Sequence, residues 1–178
     1  MKFNPNFKVN FRNVIKVYNN PHYNVNTTWD SLKHTIERYM SHYKLDFEPP
    51  FQRGYVWTRE QQIAYCEHIM QGGMSGKDII FNMKGWMGKF DGDMVLVDGK
   101  QRLTAVLAFL NNEFPVFGQY YFDNFDGKLP SHCEFIFRVN DLATMEEVVG
   151  WYIAMNTGGS IHTAEDLKPA YDLLNKTK

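Results

Sequence analysis

Cysteine is scarce in this chain, with only Cys66 and Cys133 among 178 residues. They show neither metal-ligand spacing nor a disulfide framework, which excludes a thiolate-rich zinc site and fits a reducing, intracellular setting. Cys66 falls in a helical pattern and Cys133 at the start of a strand pattern, so both are expected to be packing residues. No run approaches about 18 consecutive apolar residues, and the N-terminus has no apolar signal core. A membrane span and a secretory leader are therefore not expected. Charge of one sign is also lacking: 19 basic and 20 acidic residues leave a net charge of −1. No global positive field advertises nucleic acid, although a local basic groove stays open.

Several catalytic signatures are missing too. The six histidines, at 22, 34, 42, 68, 132 and 162, form no H-E-x-x-H and no His-Cys cluster, so a histidine-metal nuclease core is not evident. No G-x-S-x-G is present, which removes support for an esterase-type triad. Gly72-Gly-Met-Ser-Gly-Lys-Asp78 resembles a phosphate-binding P-loop only in passing. It is one residue short, Asp78 replaces the magnesium-binding hydroxyl, and the order runs helix to strand. It reads as a helix stop followed by a loop.

What remains is one domain with enough residues for a real core. Hydrophobic residues make up 44% and aromatics 16%, with 14 Phe and 10 Tyr, which points to a core rich in rings. Residues 1–26 read as an Asn- and aromatic-rich arm, with Phe7, Val9 and Phe11 hinting at a strand. Residues 27–178 read as the domain. Thr28 starts a helix with the stripe Leu32, Ile36, Tyr39 and Met40. Lys44–Phe47 reads as a short strand, and Pro49-Pro50 keeps the chain extended after it. Thr58 and Gln61 form a capping box before a helix that Gly72-Gly73 end. Strands follow at Asp78–Met83 and from Met94, joined by a glycine-rich connection.

Residues 113–131 read as an aromatic loop or two weak strands. Glu134–Val139 is a strand with Phe135, Phe137 and Val139 on one face. Thr144 and Glu147 cap a helix reaching Met155. Thr163 and Asp166 open a last helix, interrupted at Pro169. Helices lie between strands that need not be parallel, so the class is α+β.

The most informative stretch is Met94–Leu110. An apolar run ends at Asp98-Gly99, then Lys100, Gln101 and Arg102 open a helix whose apolar face is Leu103, Val106, Leu107 and Leu110. Asp98 and Gln101 have the spacing of a capping box. A strand, a tight turn and a helix start bearing Lys and Arg suit an anion, above all phosphate; a simple capped turn fits the same residues. Gln52-Arg53, between a double proline and a capped helix, offers a second guanidinium able to bind an oxyanion through two parallel bonds. Tyr55 and Trp57 read as core or pocket wall. Asn156-Thr-Gly-Gly159 is a helix stop whose Asn could face a ligand.

Taken in order, Gln52-Arg53 with Tyr55 and Trp57, then Val97-Asp-Gly-Lys-Gln-Arg-Leu-Thr104, then Asn156–Gly159 with Ala164-Glu-Asp-Leu167, resemble the N-terminal domain of GmrSD-type modification-dependent restriction endonucleases, from about Glu48 to Lys168. The resemblance implies a compact domain of the wider ParB/sulfiredoxin-like fold, a small mixed sheet with flanking helices. It further implies an Asp-Gly-x-Gln-Arg turn that binds and hydrolyses or transfers phosphate from a nucleoside triphosphate such as ATP with Mg²⁺. The family usually has Gln-Gln before Arg, where this chain has Lys100-Gln101.

On that pattern Asp98, Gln101 and Arg102 are the catalytic candidates, with Asp98 as cap or Mg²⁺ ligand. Gln52, Arg53, Gly99, Lys100, Thr104 and Asn156 are the nucleotide-binding candidates. The implied setting is DNA modification, restriction or phage–host conflict, in the cytoplasm of a bacterium or an infected host. Family nucleases often carry a histidine-containing nuclease domain after this one, so a separate nuclease or modification enzyme is the expected partner. Two further readings remain: a kinase acting on a hydroxyl of a modified DNA base, with a groove from the aromatics of 113–126, and a non-catalytic module, switched by nucleotide, that binds DNA or a partner.

Overall fold

The computed structural model describes residues 23–157 and 164–176. Its elements are β1 (Tyr23–Thr28), α1 (Trp29–Tyr43), α2 (Arg59–Met70), β2 (Asp78–Met83), β3 (Met94–Asp98), α3 (Lys100–Leu110), a 3₁₀ turn (Phe122–Asn124), β4 (Glu134–Asn140), α4 (Met145–Thr157) and α5 (Ala164–Lys176). The four strands form one mixed sheet in the order β1-β4-β2-β3. β1 and β3 run antiparallel to their neighbours, while β2 and β4 are parallel. The class is α+β, as the alternation of patterns indicates. No helix among the described residues is long and apolar enough to cross a membrane.

Period-two alternation assigns each strand's side chains to two faces. On one face Ile79, Phe81, Met83, Met94, Leu96, Phe135, Phe137 and Val139 meet the buried faces of α1, α2 and α3. On the other, Val95 and Val97 of β3 pack against Phe51, Trp151 and Tyr152, together with Leu167 and Ala170 of α5. β3 is thus covered on both sides, which explains its unbroken apolar run. Helix α3 buries Leu103, Ala105, Val106, Ala108, Phe109 and Leu110, so it is an interior helix, fixed between the sheet and the outer helices. Cys66 and Cys133 are buried free thiols, as packing residues should be.

Several local expectations change. Tyr23–Asn26, assigned to the arm, pair with β4 in β1, so the domain begins earlier than residue 27. The strand expected around Phe7–Phe11 lies outside the described residues. The buried stripe of α1 is Trp29, Leu32, Ile36 and Tyr39. Met40 is 53% exposed, because one further residue turns the side chain about 100° off that face. Lys44–Phe47 is not a strand: Lys44 sits at φ 48 as the helix stop, and only Asp46 bridges to Val95, at the outer edge of β3. Pro169 does not interrupt the last helix, which runs through it. Thr163 lies outside the described residues. The 113–131 segment has one bridge, Val116 to Tyr120, and the 3₁₀ turn, with Phe122 and Phe125 against Phe109.

The false P-loop is indeed the end of α2. The Gly72 and Gly73 N–H groups donate to the carbonyls of Ile69 and His68, and the chain then enters β2.

Candidate functional site

The centre of the site is the step from β3 to α3. Gly99 takes φ 100 and presses against β2; a Cβ there would lie 2.5 Å from Ile79 Cδ1 and 3.3 Å from the Asp78 carbonyl oxygen. Only glycine combines that conformation with that approach. Gly99, not Asp98, is the N-cap residue, and no side chain caps α3. The expected Asp98–Gln101 capping box is therefore absent. Physically, both side chains have stronger partners elsewhere. The other two capping boxes do form: Thr58 with Gln61, and Thr144 with Glu147 through reciprocal bonds of 3.1 and 3.2 Å. The helix at the site thus lacks the side-chain cap that α2 and α4 have, and its first turn holds no acidic residue. The N–H groups of a helix's first turn have no intrahelical acceptor.

Asp98 Oδ2 accepts from Arg102 Nη2 at 2.9 Å, and the same nitrogen also donates to the Asp78 carbonyl at 2.9 Å. Arg102 is thereby fixed across β2 and β3. Its buried Nε has no hydrogen-bond partner. Asp78 carries the arrangement outward by pairing its carboxylate with Arg138. Gln101 turns away from the helix start. Its Oε1 accepts from the Val56 and Trp57 N–H groups at 3.0 and 3.1 Å, and its Nε2 donates to the Gly54 carbonyl at 3.2 Å. Gln101, a catalytic candidate from the sequence, is here a clamp on the 54–57 loop, with both ends of its amide engaged there.

A cavity of about 190 Å³ opens here, lined by Gln52, Arg53, Trp57, Val97, Asp98, Gly99, Lys100, Gln101, Arg102, Tyr152 and Asn156. Every catalytic or nucleotide-binding candidate lines it except Thr104, which lies one turn further into α3 and is half-buried there; Tyr55 does not line it either. Gln52 donates from Nε2 to the Leu96 carbonyl at 2.7 Å. Arg53 Nη1 lies 3.4 Å from Asp166 Oδ1 of α5. Lys100 is only 8% exposed, and its Nζ pairs with Glu48 Oε1 at 3.0 Å. The extra positive charge at that position is thus largely answered within the protein. Asn156 donates from Nδ2 to the Tyr152 carbonyl one turn back, at 2.7 Å.

Three residues outside the catalytic and nucleotide-binding candidates line it: Trp57, which the sequence offers as core or pocket wall, Val97 of β3, and Tyr152 of α4. Tyr152 was legible in principle, because it lies four residues before Asn156 and so shares its helix face. Burial pushes the Tyr152 phenol above its ordinary value, with Arg53 pulling it down and Asp98 and Asp166 pushing it up. That phenol is neutral at ordinary pH and available as a donor. Glu48, the partner of Lys100, carried no motif signal at all. None of the 113–126 aromatics lines the cavity, so the groove expected from them is not part of this site.

Asp98 is, among the described residues, the one carboxylate lining the cavity. Among the described residues no group of three or more His, Cys, Asp or Glu side chains could hold a metal ion. Beside Asp98 the cavity presents two arginines and the start of α3, groups that suit an anion.

Residues 36–148 match the family model described as GmrSD restriction endonuclease, N-terminal domain. The chain belongs to this family, which is a restriction-system component. The matched stretch contains Gln52-Arg53 and Asp98–Thr104, whereas Asn156 and Asp166 lie beyond it. No curated protein and no solved structure matches the chain.

Proposed function

We propose that this protein is a nucleotide-dependent enzyme of a restriction or phage-defence system, binding a nucleoside triphosphate at the β3–α3 step and cleaving or transferring its terminal phosphoryl group. The observation that carries this reading is one cavity holding both an uncapped helix start and two guanidinium groups, Arg53 and Arg102. A helix N-terminus and an arginine fork are both recurrent ways in which a protein meets phosphate. Family membership supports the setting.

In this reading the first-turn N–H groups of α3 and the Arg102 fork hold the phosphates. Arg53 exchanges Asp166 for a phosphate oxygen. Asp98 is the lining carboxylate that would hold a Mg²⁺ ion accompanying the nucleotide, since Mg²⁺ needs only one or two carboxylates when phosphates supply the rest. That ion would neutralise charge developing on the phosphoryl oxygens. Tyr152 donates from its neutral hydroxyl. Gln101 works through the loop it clamps. The partners this reading implies are DNA and a nuclease.

The test is titration and turnover of ATP, GTP and CTP by the full chain with Mg²⁺, beside Arg102→Ala. Expected is measurable binding and phosphate release, with affinity reduced at least tenfold in the variant, the scale of a lost charge-assisted hydrogen bond. Absence of binding and turnover with every nucleotide, together with no effect of the substitution, overturns it.

A second reading is favoured by one observation. Gln101 spends both ends of its amide on the 54–57 loop, leaving the motif without a side chain to position water. The protein would then bind nucleotide as a switch for a DNA or nuclease partner. Binding without phosphate release selects this reading over the first.

A further inference from the structure

We infer that Trp57 is the nucleobase platform of the cavity, stacking the base of a nucleotide whose phosphates lie on the Gly99–Arg102 turn; this rests on the nucleotide reading given above. The cavity measures about 190 Å³, below the roughly 300 Å³ at which pockets begin to enclose a drug-sized ligand. A nucleoside triphosphate cannot be swallowed whole, so part of it must lie against the rim. Its phosphates belong with Arg53, Arg102 and the start of α3. The base then needs a flat, partly exposed apolar surface among the lining.

Trp57 is that surface. The other three tryptophans, Trp29, Trp86 and Trp151, are only 1%, 9% and 8% exposed, whereas Trp57 is half-buried and lines the cavity. Its ring is backed by Tyr65, with centroids 5.4 Å apart and planes at 57°. Tyr65 is itself anchored, its hydroxyl donating to the Gly76 carbonyl at 2.7 Å. The Trp57 backbone N–H is held by Gln101 Oε1. Trp57 is therefore braced by Tyr65 and tied to the same Asp98–Arg102 turn that meets the phosphates. Stacking on an aromatic face accepts any base, so selectivity between bases is weak and selectivity for a base over none is strong.

The experiment compares ATP and CTP with inorganic tripolyphosphate, each with Mg²⁺, by calorimetric titration of the full chain. Wild type is measured beside Trp57→Leu and Trp57→Phe. Expected is roughly tenfold tighter binding of both nucleotides than of tripolyphosphate, the scale of one base–aromatic stack. Trp57→Leu collapses that gap while leaving tripolyphosphate affinity unchanged, which also shows that the variant is folded; Trp57→Phe retains most of the gap. Equal affinity for nucleotides and tripolyphosphate in wild type, or a gap that survives in Trp57→Leu, overturns the platform and leaves the phosphate site standing. Failure of all three ligands to bind wild type overturns the nucleotide reading and the platform with it.

Discussion

Asp166 Oδ1 lies 3.4 Å from Arg53 Nη1, so a carboxylate of α5 engages an arginine of the cavity wall. Arg102 is engaged in the same way by Asp98 at 2.9 Å. Each guanidinium that could meet a phosphate thus already faces an internal anion. The two pairs differ in what holds them. Asp98 is the last residue of β3 and one helical turn from Arg102, whereas Asp166 reaches Arg53 from a different element, docked through Leu167 and Ala170. An incoming anion must compete with both.

Asp166→Asn is expected to tighten binding of tripolyphosphate, because it removes the competing charge while keeping the side-chain shape. Both partners are partly exposed, 32% for Arg53 and 24% for Asp166, so the pair is worth no more than about 1 kcal/mol, or roughly fivefold in affinity. A calorimetric titration reads the change. Weaker binding in the variant would show that Asp166 assists the anion instead of competing with it.

Gln101→Ala is expected to free the 54–57 loop without unfolding the domain. Three hydrogen bonds are lost, from the Val56 and Trp57 N–H groups and to the Gly54 carbonyl. Each is worth about 0.5–1.5 kcal/mol net, and their partial exposure places the total near the lower end, about 1–2 kcal/mol. Hydrogen exchange should show faster exchange at Val56 and Trp57, with the interior turns of α3 unchanged. Unaltered protection at those two amides would mean that the clamp does not hold the loop.

The sequence made the elements legible wherever local pattern and tertiary burial agree. Phe135, Phe137 and Val139 alternate and are all buried, and the Thr58–Gln61 box forms as its spacing demands. It misled where a side chain has two local options and a distant partner decides. Asp98 and Gln101 have capping spacing, yet Arg102 takes one and the 54–57 backbone takes the other. The candidate residues stand out in the sequence because Arg102 follows the Asp98-Gly99 turn at the start of α3 and Arg53 follows the double proline in the long connection before α2. Their electrostatic partners do not: Glu48 pairs with Lys100, and Asp166 with Arg53, across separations that no local spacing encodes. Lys100 looked like an added phosphate ligand and is instead a nearly buried ion-pair partner.

Gly99→Ala is expected to be among the more damaging single-methyl changes in the protein. The added Cβ meets Ile79 Cδ1 at 2.5 Å, with the Ile79 Cα at 3.2 Å and the Asp78 carbonyl oxygen at 3.3 Å behind it, at a φ of 100. The Ile79 side chain can shift, but the β2 backbone is paired on both sides. Left-handed strain and overpacking together should cost about 2–4 kcal/mol. Chemical denaturation reads the loss, and Gly76→Ala serves as the comparison: it shares the positive φ of 74 but meets only Tyr65 and Arg102 side-chain atoms at 3.4 and 3.5 Å. Equal losses in the two variants would mean that backbone conformation alone, not the approach to β2, demands glycine at position 99.

Stability is expected to fall on the alkaline side, and the buried acids set where. Burial pushes the Cys133 thiol from 9.0 up to about 11 and the Tyr39 phenol from 10.0 up to about 12. Burial also raises the Cys66 thiol and the Tyr65 phenol. In the unfolded chain these groups release their protons near 9.0 and 10.0, whereas the folded chain retains them. The unfolded state therefore binds fewer protons above about pH 9, and the free energy of unfolding decreases as pH rises. The contribution is fully present below about pH 9 and is lost progressively toward pH 11 and 12 as the folded-state groups titrate. Thermal unfolding between pH 7 and 11 should show a midpoint insensitive to these groups up to about pH 8.5 and falling beyond it. Cys133→Ala should shallow the fall between pH 9 and 11. A midpoint that stays level to pH 11, or a fall unchanged in Cys133→Ala, would mean that these thiols are not sheltered by the core.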